Sequence, residues 1–284
     1  MGVMGDASRT STILVTGSTD GIGLATAQRL FISGHKILVH GRNEEKARAA
    51  VQKIQIYAAV KEKASSPKLI PVWGDLSVMK EVVALAHQVQ GLAPDLNVLL
   101  NNAGVYMKQK RLSSDHFEMT FCVNHLAPHL LTHHLLPLLK AQPAARVVTV
   151  ASVAHQRGHL HLDNLNSEKH FESYEAYSTS KLCNILFTRC LAALLKNSSH
   201  VTANCLHPGV IETKLLKAGF NIHGDGVDKG CETSVFLATD PSVEKITGGY
   251  FVNSVAAIPS RLAQDDNLAV SLWKKTEEIL KPWL

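Results

Sequence analysis

Two residues one helical turn apart carry the most specific chemistry in this sequence. Tyr177 and Lys181 stand at i and i+4 within 174–196, a stretch of helical pattern. That spacing puts both side chains on one face, about 6 Å apart along the axis. A phenol titrates near pH ~10, too high for easy proton transfer at neutral pH, and a neighbouring ammonium favours its anion. The pair therefore predicts a proton donor, Tyr177, tuned downward by Lys181. Tyr174 is not equivalent, because its i+4 residue is Ser178. Upstream, the run Val148-Thr149-Val150-Ala151 ends in Ser152. If that run is a strand of an open α/β sheet, Ser152 lies at its carboxyl end, where ligands bind. Its hydroxyl suits a substrate carbonyl there; taken alone, a serine at this point reads equally as a helix cap.

A second cluster suits phosphate. Thr16-Gly17-Ser18-Thr19-Asp20-Gly21-Ile22-Gly23 follows a short apolar run and precedes a helical one. Glycines permit a tight turn and close backbone approach, and a helix N-terminus offers free N–H donors with partial positive charge. The strand–turn–helix context raises this above a plain glycine-rich turn. The next apolar run ends His40-Gly41-Arg42-Asn43. A carboxylate that would accept bonds from an adenosine ribose in an NAD site is missing from that strand end. Arg42 instead offers a planar fork for a 2′-phosphate, and Asn43 adjoins it. NADP(H) is the expected cofactor, with NAD(H) the alternative. Glu44 and Glu45 read as exposed first-turn helix residues.

These groups need a scaffold to converge. Strand candidates are 13–16, 36–40, 69–73, 98–101, 146–151, 201–206 and 249–253, several of them apolar without alternation, as for strands covered on both faces. Helix candidates lie between them: 22–33 before Gly34, a helix capped by Asn43 and running toward Lys63, and 78–90 capped by Ser77. A long helix starts at Ser114 or Asp115 and ends near Lys140, with Pro128 a candidate kink. Helices over 174–196, before Asp240 and over 265–280 complete the series. This alternation predicts an α/β fold, a doubly wound parallel sheet of Rossmann type with about seven strands, as one domain over 1–284. Residues 1–10 read as a flexible N-terminus and 209–228 as a loop over the site.

The glycine spacing is T-G-x-x-x-G-x-G rather than G-x-G-x-x-G. With Y-x-x-x-K at 177–181 and Asn101-Asn102-Ala103-Gly104, it resembles the short-chain dehydrogenases/reductases. The resemblance extends through 96–104, 123–132, 176–189, 203–213 and 248–253, and is greatest to retinol dehydrogenase-like and WW-domain-oxidoreductase-like members. It implies hydride transfer between a nicotinamide and a carbonyl or alcohol carbon, with Ser152 on the oxygen, Tyr177 donating the proton in the reductive direction, and Lys181 positioning the cofactor ribose and tuning Tyr177; Tyr177 and Lys181 are thus both catalytic and cofactor-binding. It also implies that Asn124 holds a water linking Lys181 to solvent, and that Asp75 and Leu76 meet the adenine. Asn102, Ala103 and Gly104 would back the cofactor, and Pro208, Gly209, Val210 and Thr213 would flank its nicotinamide. Asp20 departs from the pattern, since NADP users of the family often carry a basic residue there. The family further implies a homodimer or homotetramer.

The bulk numbers bound the rest. Net charge is +5 with no dense Lys/Arg block, so nucleic acid is not an expected partner; a small-molecule substrate is. No apolar run approaches the ~20 residues needed to cross a bilayer, and the polar start has no signal core, so a cytoplasmic location is expected. Five cysteines without a C-x-x-C pair fit a reduced compartment, and the sequon at Asn197 reads as chance. His125, His129, His133 and His134 have i+4 spacings but no acidic or cysteine partners, so no metal is expected. Val105, Tyr106 and Met107 suggest a partly apolar pocket, with further walls from 153–172 and 209–228; together with the resemblance this implies a hydrophobic aldehyde, ketone, or retinoid- or steroid-like alcohol. Sugar epimerases and dehydratases use a different glycine spacing. The rivals that remain are a ring double-bond reductase resembling protochlorophyllide reductase, which Ser152 argues against, and a non-catalytic NADP-binding sensor or scaffold, which the intact Ser–Tyr–Lys set argues against.

Overall fold

The computed structural model describes residues 10–62, 68–196, 200–219 and 224–284. Residues 1–9, Lys63, Asn197 and 220–223, on which parts of the expectations above fall, lie outside the described residues.

Eight strands form one sheet: β1 (Thr12–Val15), β2 (Lys36–Gly41), β3 (Leu69–Trp73), β4 (Val98–Asn101), β5 (Ala145–Val150), β6 (Val201–His207), β7 (Tyr250–Val252) and β8 (Val255–Ala257). Their order is β3-β2-β1-β4-β5-β6-β7-β8. β1 to β7 are parallel, and order reverses between β1 and β4, which opens a crevice at the carboxyl ends of those strands. The seven expected strands are present. The eighth, absent from the sequence reading, is an antiparallel return of β7 through Asn253 and Ser254, both at positive φ (50° and 61°), as a two-residue hairpin turn requires. This strand is only three residues long and its Val255 is 66% exposed.

The helices are α1 (Gly21–Ile32), α2 (Glu44–Val60), α3 (Met79–Leu92), α4 (Met119–Phe121), α5 (Ala127–Lys140), α6 (Ser173–Leu195), α7 (Lys214–Gly219), α8 (Val227–Gly230), α9 (Glu232–Thr239) and α10 (Asp266–Leu280). α1, α2 and α9 cover one face of the sheet through Ile13, Val15, Leu30, Ile54, Leu100 and Leu237. α3, α5, α6 and α10 cover the other through Leu14, Val82, Leu130, Leu186 and Leu272. No described helix is long and apolar enough to cross a membrane.

Two helix starts differ from expectation. Ser77 does not cap α3; its N–H and hydroxyl both donate to Asp75 Oδ1, and Asp115 reaches across to accept the Met79 N–H at 2.7 Å. Asp115 thus caps a neighbouring helix, not its own. The long helix begins only at α4, where the buried Glu118 carboxylate accepts the N–H groups of Thr120 and Phe121. It then widens into a π turn, Cys122–Leu126, before α5. Pro128 lies in the first turn of α5 and has no N–H to return to the Asn124 carbonyl. Asn124 therefore sits in the irregular part of the helix.

Candidate active site

A cleft of about 670 Å³ runs along the carboxyl ends of the strands. At one end is the β1–α1 turn. Gly17 has φ +64°, and a Cβ on Gly23 would stand 2.3 Å from the Gly17 carbonyl oxygen, so neither position accepts a side chain without moving backbone. Gly17, Thr19, Asp20, Gly21, Ile22 and Gly23 line the cleft. Thr16 and Ser18 do not; both are buried behind it. The Thr16 hydroxyl accepts the N–H groups of Asn102 (2.9 Å) and Ala103 (3.1 Å), and Ser18 Oγ accepts the His40 N–H (2.9 Å). They shape the turn from behind and do not face a ligand.

His40 was not singled out in the sequence, and it holds this turn. Its Nδ1 accepts the Gly17 N–H at 3.0 Å, so the proton sits on Nε2 and is donated to the Gly74 carbonyl, also 3.0 Å away. Burial keeps the imidazole neutral, with its pKa pushed down to about 4. A histidine closing a buried strand, immediately beside a phosphate-type turn, was the available signal.

At the end of β2, Arg42 and Lys46 line the cleft. Arg42 Nε lies 3.5 Å from Asp75 Oδ2. Asn43 does not line the cleft: its Oδ1 accepts the Lys46 N–H at 3.0 Å and caps α2. The helix-capping expectation for Asn43 fits, and its placement among cofactor contacts does not; Lys46, three residues on, is the cation that the reading missed. Asp75 and Leu76 line the same region, as do Asn102, Ala103 and Gly104. Asn102 Nδ2 donates to the Thr16 carbonyl at 2.7 Å, and Asn101 Nδ2 donates to Thr132 Oγ1 at 3.1 Å. The two asparagines thus tie β4 to the glycine turn and to α5.

Further along the cleft stand Ser152, Tyr177 and Lys181. Ser152 follows β5 and plays two parts. Its Oγ accepts the Ala154 N–H at 3.1 Å, capping a 3₁₀ turn (Val153–Arg157), and its side chain is hydrogen-bonded to Tyr177. Tyr177 and Lys181 lie on one face of α6 as the spacing required, and both are buried. Their electrostatics differ from expectation. Burial pushes the Tyr177 phenol up to about 12, against which the Ser152 hydrogen bond acts only in part. Lys181 Nζ is 5.7 Å from the Tyr177 ring centroid and donates to the Val150 carbonyl at 3.0 Å. Its own burial depresses it to about 8. Burial is the largest cause for both groups, and it raises the phenol where the spacing alone predicts a lowering.

Asn124 does not reach the cleft surface. Its Oδ1 accepts the Val105 N–H (2.8 Å), and its Nδ2 donates to the Val105 carbonyl (3.0 Å) and to Ser180 Oγ (2.9 Å). Its side chain joins the π turn to the strand-four loop and to α6 directly behind Lys181. Pro208, Gly209, Val210 and Thr213 line the cleft after β6. Thr213 Oγ1 accepts the Leu216 N–H at 3.2 Å. One residue on, Lys214 Nζ meets Asp20 Oδ2 at 2.6 Å and holds its carboxyl below the usual range, bridging the two sides. Asp20 is thereby neutralised by this chain's own lysine.

Of the expected apolar wall, Val105 lines the cleft, while Tyr106 donates its hydroxyl to Ser173 Oγ (2.9 Å) and packs 5.6 Å from the Tyr177 ring. From the middle stretch come Val153, Ala154, Gln156 and Arg157; His159 and His161 line a separate small cavity. Of the helix histidines, His125 and His129 are buried, His129 with its ring 4.4 Å from that of Trp273 and His125 hydrogen-bonded to Thr276 Oγ1, while His133 is exposed.

A strand-end cleft with a glycine turn at one end and a Ser–Tyr–Lys set along it defines a class of nicotinamide-dependent oxidoreductases. The profile described as short chain dehydrogenase matches residues 11–221, and the chain belongs to that family. It is an oxidoreductase acting on CH–OH or C=O groups. It is 35% identical over 288 residues to human retinol dehydrogenase 14, covering 94% of this chain and 85% of that protein. It is also 35% identical to human polyprenol dehydrogenase over 282 residues, 94% of this chain and 84% of the other. A solved structure from Mycobacterium paratuberculosis, titled a putative uncharacterized protein, superposes with a TM-score of 0.78 at 30% identity, covering 95% and 93% of the two chains.

Proposed function

We propose that this chain is an NADP(H)-dependent oxidoreductase that interconverts a hydrophobic carbonyl compound and its alcohol, with Tyr177 as the proton-transferring group. The observation that carries the reading is the buried Tyr177 phenol hydrogen-bonded to Ser152 at the wall of a cleft that also opens onto the Gly17–Gly23 turn. When bound, the nicotinamide supplies or accepts the hydride.

The chain's own residues fit such a cofactor. The turn has no room for side chains at Gly23, and α1 begins there with its N–H groups at the cleft. Arg42 and Lys46 give the end of β2 two cations, which supports a 2′-phosphate over a bare ribose. Asp75, the nearby carboxylate, is engaged by Arg42 and Ser77.

Ser152 and Tyr177 converge on one point, where a substrate oxygen would accept two hydrogen bonds. In the reductive direction Tyr177 gives its proton to that oxygen as charge develops on it. Burial keeps the Tyr177 phenol protonated at neutral pH, the form that a proton donor to the substrate oxygen requires. Lys181 keeps a positive charge beneath the site, anchored on Val150. Val105, Val153, Val210, Leu215 and Leu216 give the open part of the cleft an apolar lining, which agrees with the lipid alcohols named in the two human relatives.

A screen of apolar and polar carbonyls, followed by loss of NADPH or NADH absorbance, tests the reading. Turnover of apolar aldehydes or ketones with NADPH is expected. Turnover confined to polar sugars, or tighter binding of NADH than NADPH by fluorescence titration, overturns it.

A further inference from the structure

His155 lies three residues after Ser152, where the sequence suggests a pocket wall. It lines no part of the cleft and is fully buried behind it. Its ring has two partners at opposite ends. Nδ1 is 2.6 Å from the Ser152 carbonyl oxygen, and Nε2 accepts the Ser260 N–H at 3.0 Å. Because Nε2 accepts, the single ring proton is on Nδ1 and is donated to Ser152. The ring also packs edge-on against Tyr250 of β7 at 5.1 Å. Ser260 follows the β7–β8 hairpin, more than a hundred residues away in sequence.

We infer that His155 is a positioning residue for Ser152: its Nδ1–H holds the carbonyl of the proposed oxygen-binding serine, and so sets where the hydroxyl points, while Ser260 fixes only the ring's tautomer from the other side. The inference rests on the function proposed above. Ser152 otherwise sits at the junction of β5 and a short 3₁₀ turn, an element of few internal hydrogen bonds. Its Oγ already serves both Ala154 N–H and Tyr177, so a small rotation of the residue trades one bond against the other. The His155 donor on the carbonyl, together with the His155 N–H on the same oxygen at 3.1 Å, removes that freedom.

The histidine's two roles separate by side-chain length. Asn places its amide near the Nδ1 position and keeps a donor for the Ser152 carbonyl while releasing Ser260. Gln places its amide oxygen near Nε2 and keeps an acceptor for Ser260 while releasing Ser152. Phe keeps the ring on Tyr250 and loses both. His155→Gln and His155→Phe are expected to lower kcat by about tenfold or more, as for removal of a hydrogen bond near a reacting oxygen, with NADPH affinity unchanged. His155→Asn is expected to retain most of kcat.

Hydrogen exchange at the Ala154 and His155 amides reads the same tie without any substrate, and decides the inference even if no carbonyl is turned over by the parent protein. Faster exchange in the Gln and Phe variants, with the Asn variant near the parent, supports it. Parent-like exchange in all three variants overturns it. So does a loss in the Asn variant equal to that of the others, which makes His155 a packing residue only, or an unchanged kcat in His155→Gln when the parent enzyme is active. Absence of turnover in the parent overturns the proposed function and leaves the exchange result to judge the tie.

Discussion

The two ends of the cleft are built by different means. At the glycine-turn end, buried side chains pin the backbone at the ends of β1 to β4: the His40 ring bridges Gly17 and Gly74, and the Thr16 hydroxyl accepts from Asn102 and Ala103. At the other end, lining comes from a 3₁₀ turn and α7, with Val153 and Val210 each 41% exposed. The first end is a fixed cradle for an invariant shape; the second is an adaptable wall on connecting segments, the arrangement that lets one scaffold take different substrates. Ser152, Tyr177 and Lys181 lie at the boundary. The fixed end sets their positions through β5 and α6, and the adaptable end decides what reaches them.

The comparison is broken most directly at Lys181, at the boundary, whose charge is destabilised by its burial. Lys181→Met is expected to lower turnover by roughly 10²- to 10⁴-fold, the range for loss of acid–base assistance. It should also make the protein more stable at pH 7. The sign follows from burial: the folded pKa, about 8, lies below the ordinary 10.5, so the charged amine opposes folding at all pH values below 8. That penalty is relieved as pH rises from 8 toward 10.5, and a shift of this size is worth roughly 3 kcal/mol. Asn184 Nδ2 still donates to the Val150 carbonyl at 3.3 Å, so the variant orphans no acceptor. Urea melts at pH 7 check it; a lower midpoint for the variant contradicts the account.

Arg42 tests the phosphate cradle. Removing a charge-assisted contact of about 1.5–3 kcal/mol should weaken binding about 10- to 100-fold. Arg42→Ala should weaken NADPH by that amount and leave NADH unchanged, measured by fluorescence titration. Equal loss for both cofactors assigns Arg42 to holding Asp75 instead.

A smaller effect is expected from His40. It and His207 are each held near pKa 4 by burial, below the ordinary 6.5. The folded chain therefore binds fewer protons than the unfolded one between those values, and stability is full above pH 6.5 and falls as pH drops toward 4. His40→Gln keeps a donor for Gly74 and loses the acceptor for Gly17. It should flatten part of that acid loss and weaken NADPH binding by about tenfold, the worth of one hydrogen bond to the turn. An unchanged pH profile with unchanged binding contradicts the fixed-cradle picture.

What could be read from the sequence follows the same division. Tyr177 and Lys181, Gly17 to Gly23 and the parallel strands are local patterns, with meaning fixed within a few residues. The partners that are distant in sequence were missed: His40 with Gly74, His155 with Ser260, and Asp115 on α3. Lys46 was hidden behind Asn43, whose capping role is local and legible but whose side chain is consumed by it. β8 is a three-residue edge strand too short for periodicity to identify, and the π turn at Asn124 arises from its place ahead of Pro128. The tuning of Tyr177 by Lys181 was misjudged because spacing reports proximity and not desolvation, which here dominates.

The central claim is that the Tyr177 hydroxyl carries the proton. Single-turnover NADPH oxidation by the parent chain and by Tyr177→Phe, on one apolar carbonyl that the parent reduces, tests it most directly. The account predicts a loss of about 10²-fold or more in the hydride-transfer step, with NADPH affinity nearly unchanged. A Phe variant that keeps more than about a tenth of the parent rate contradicts it.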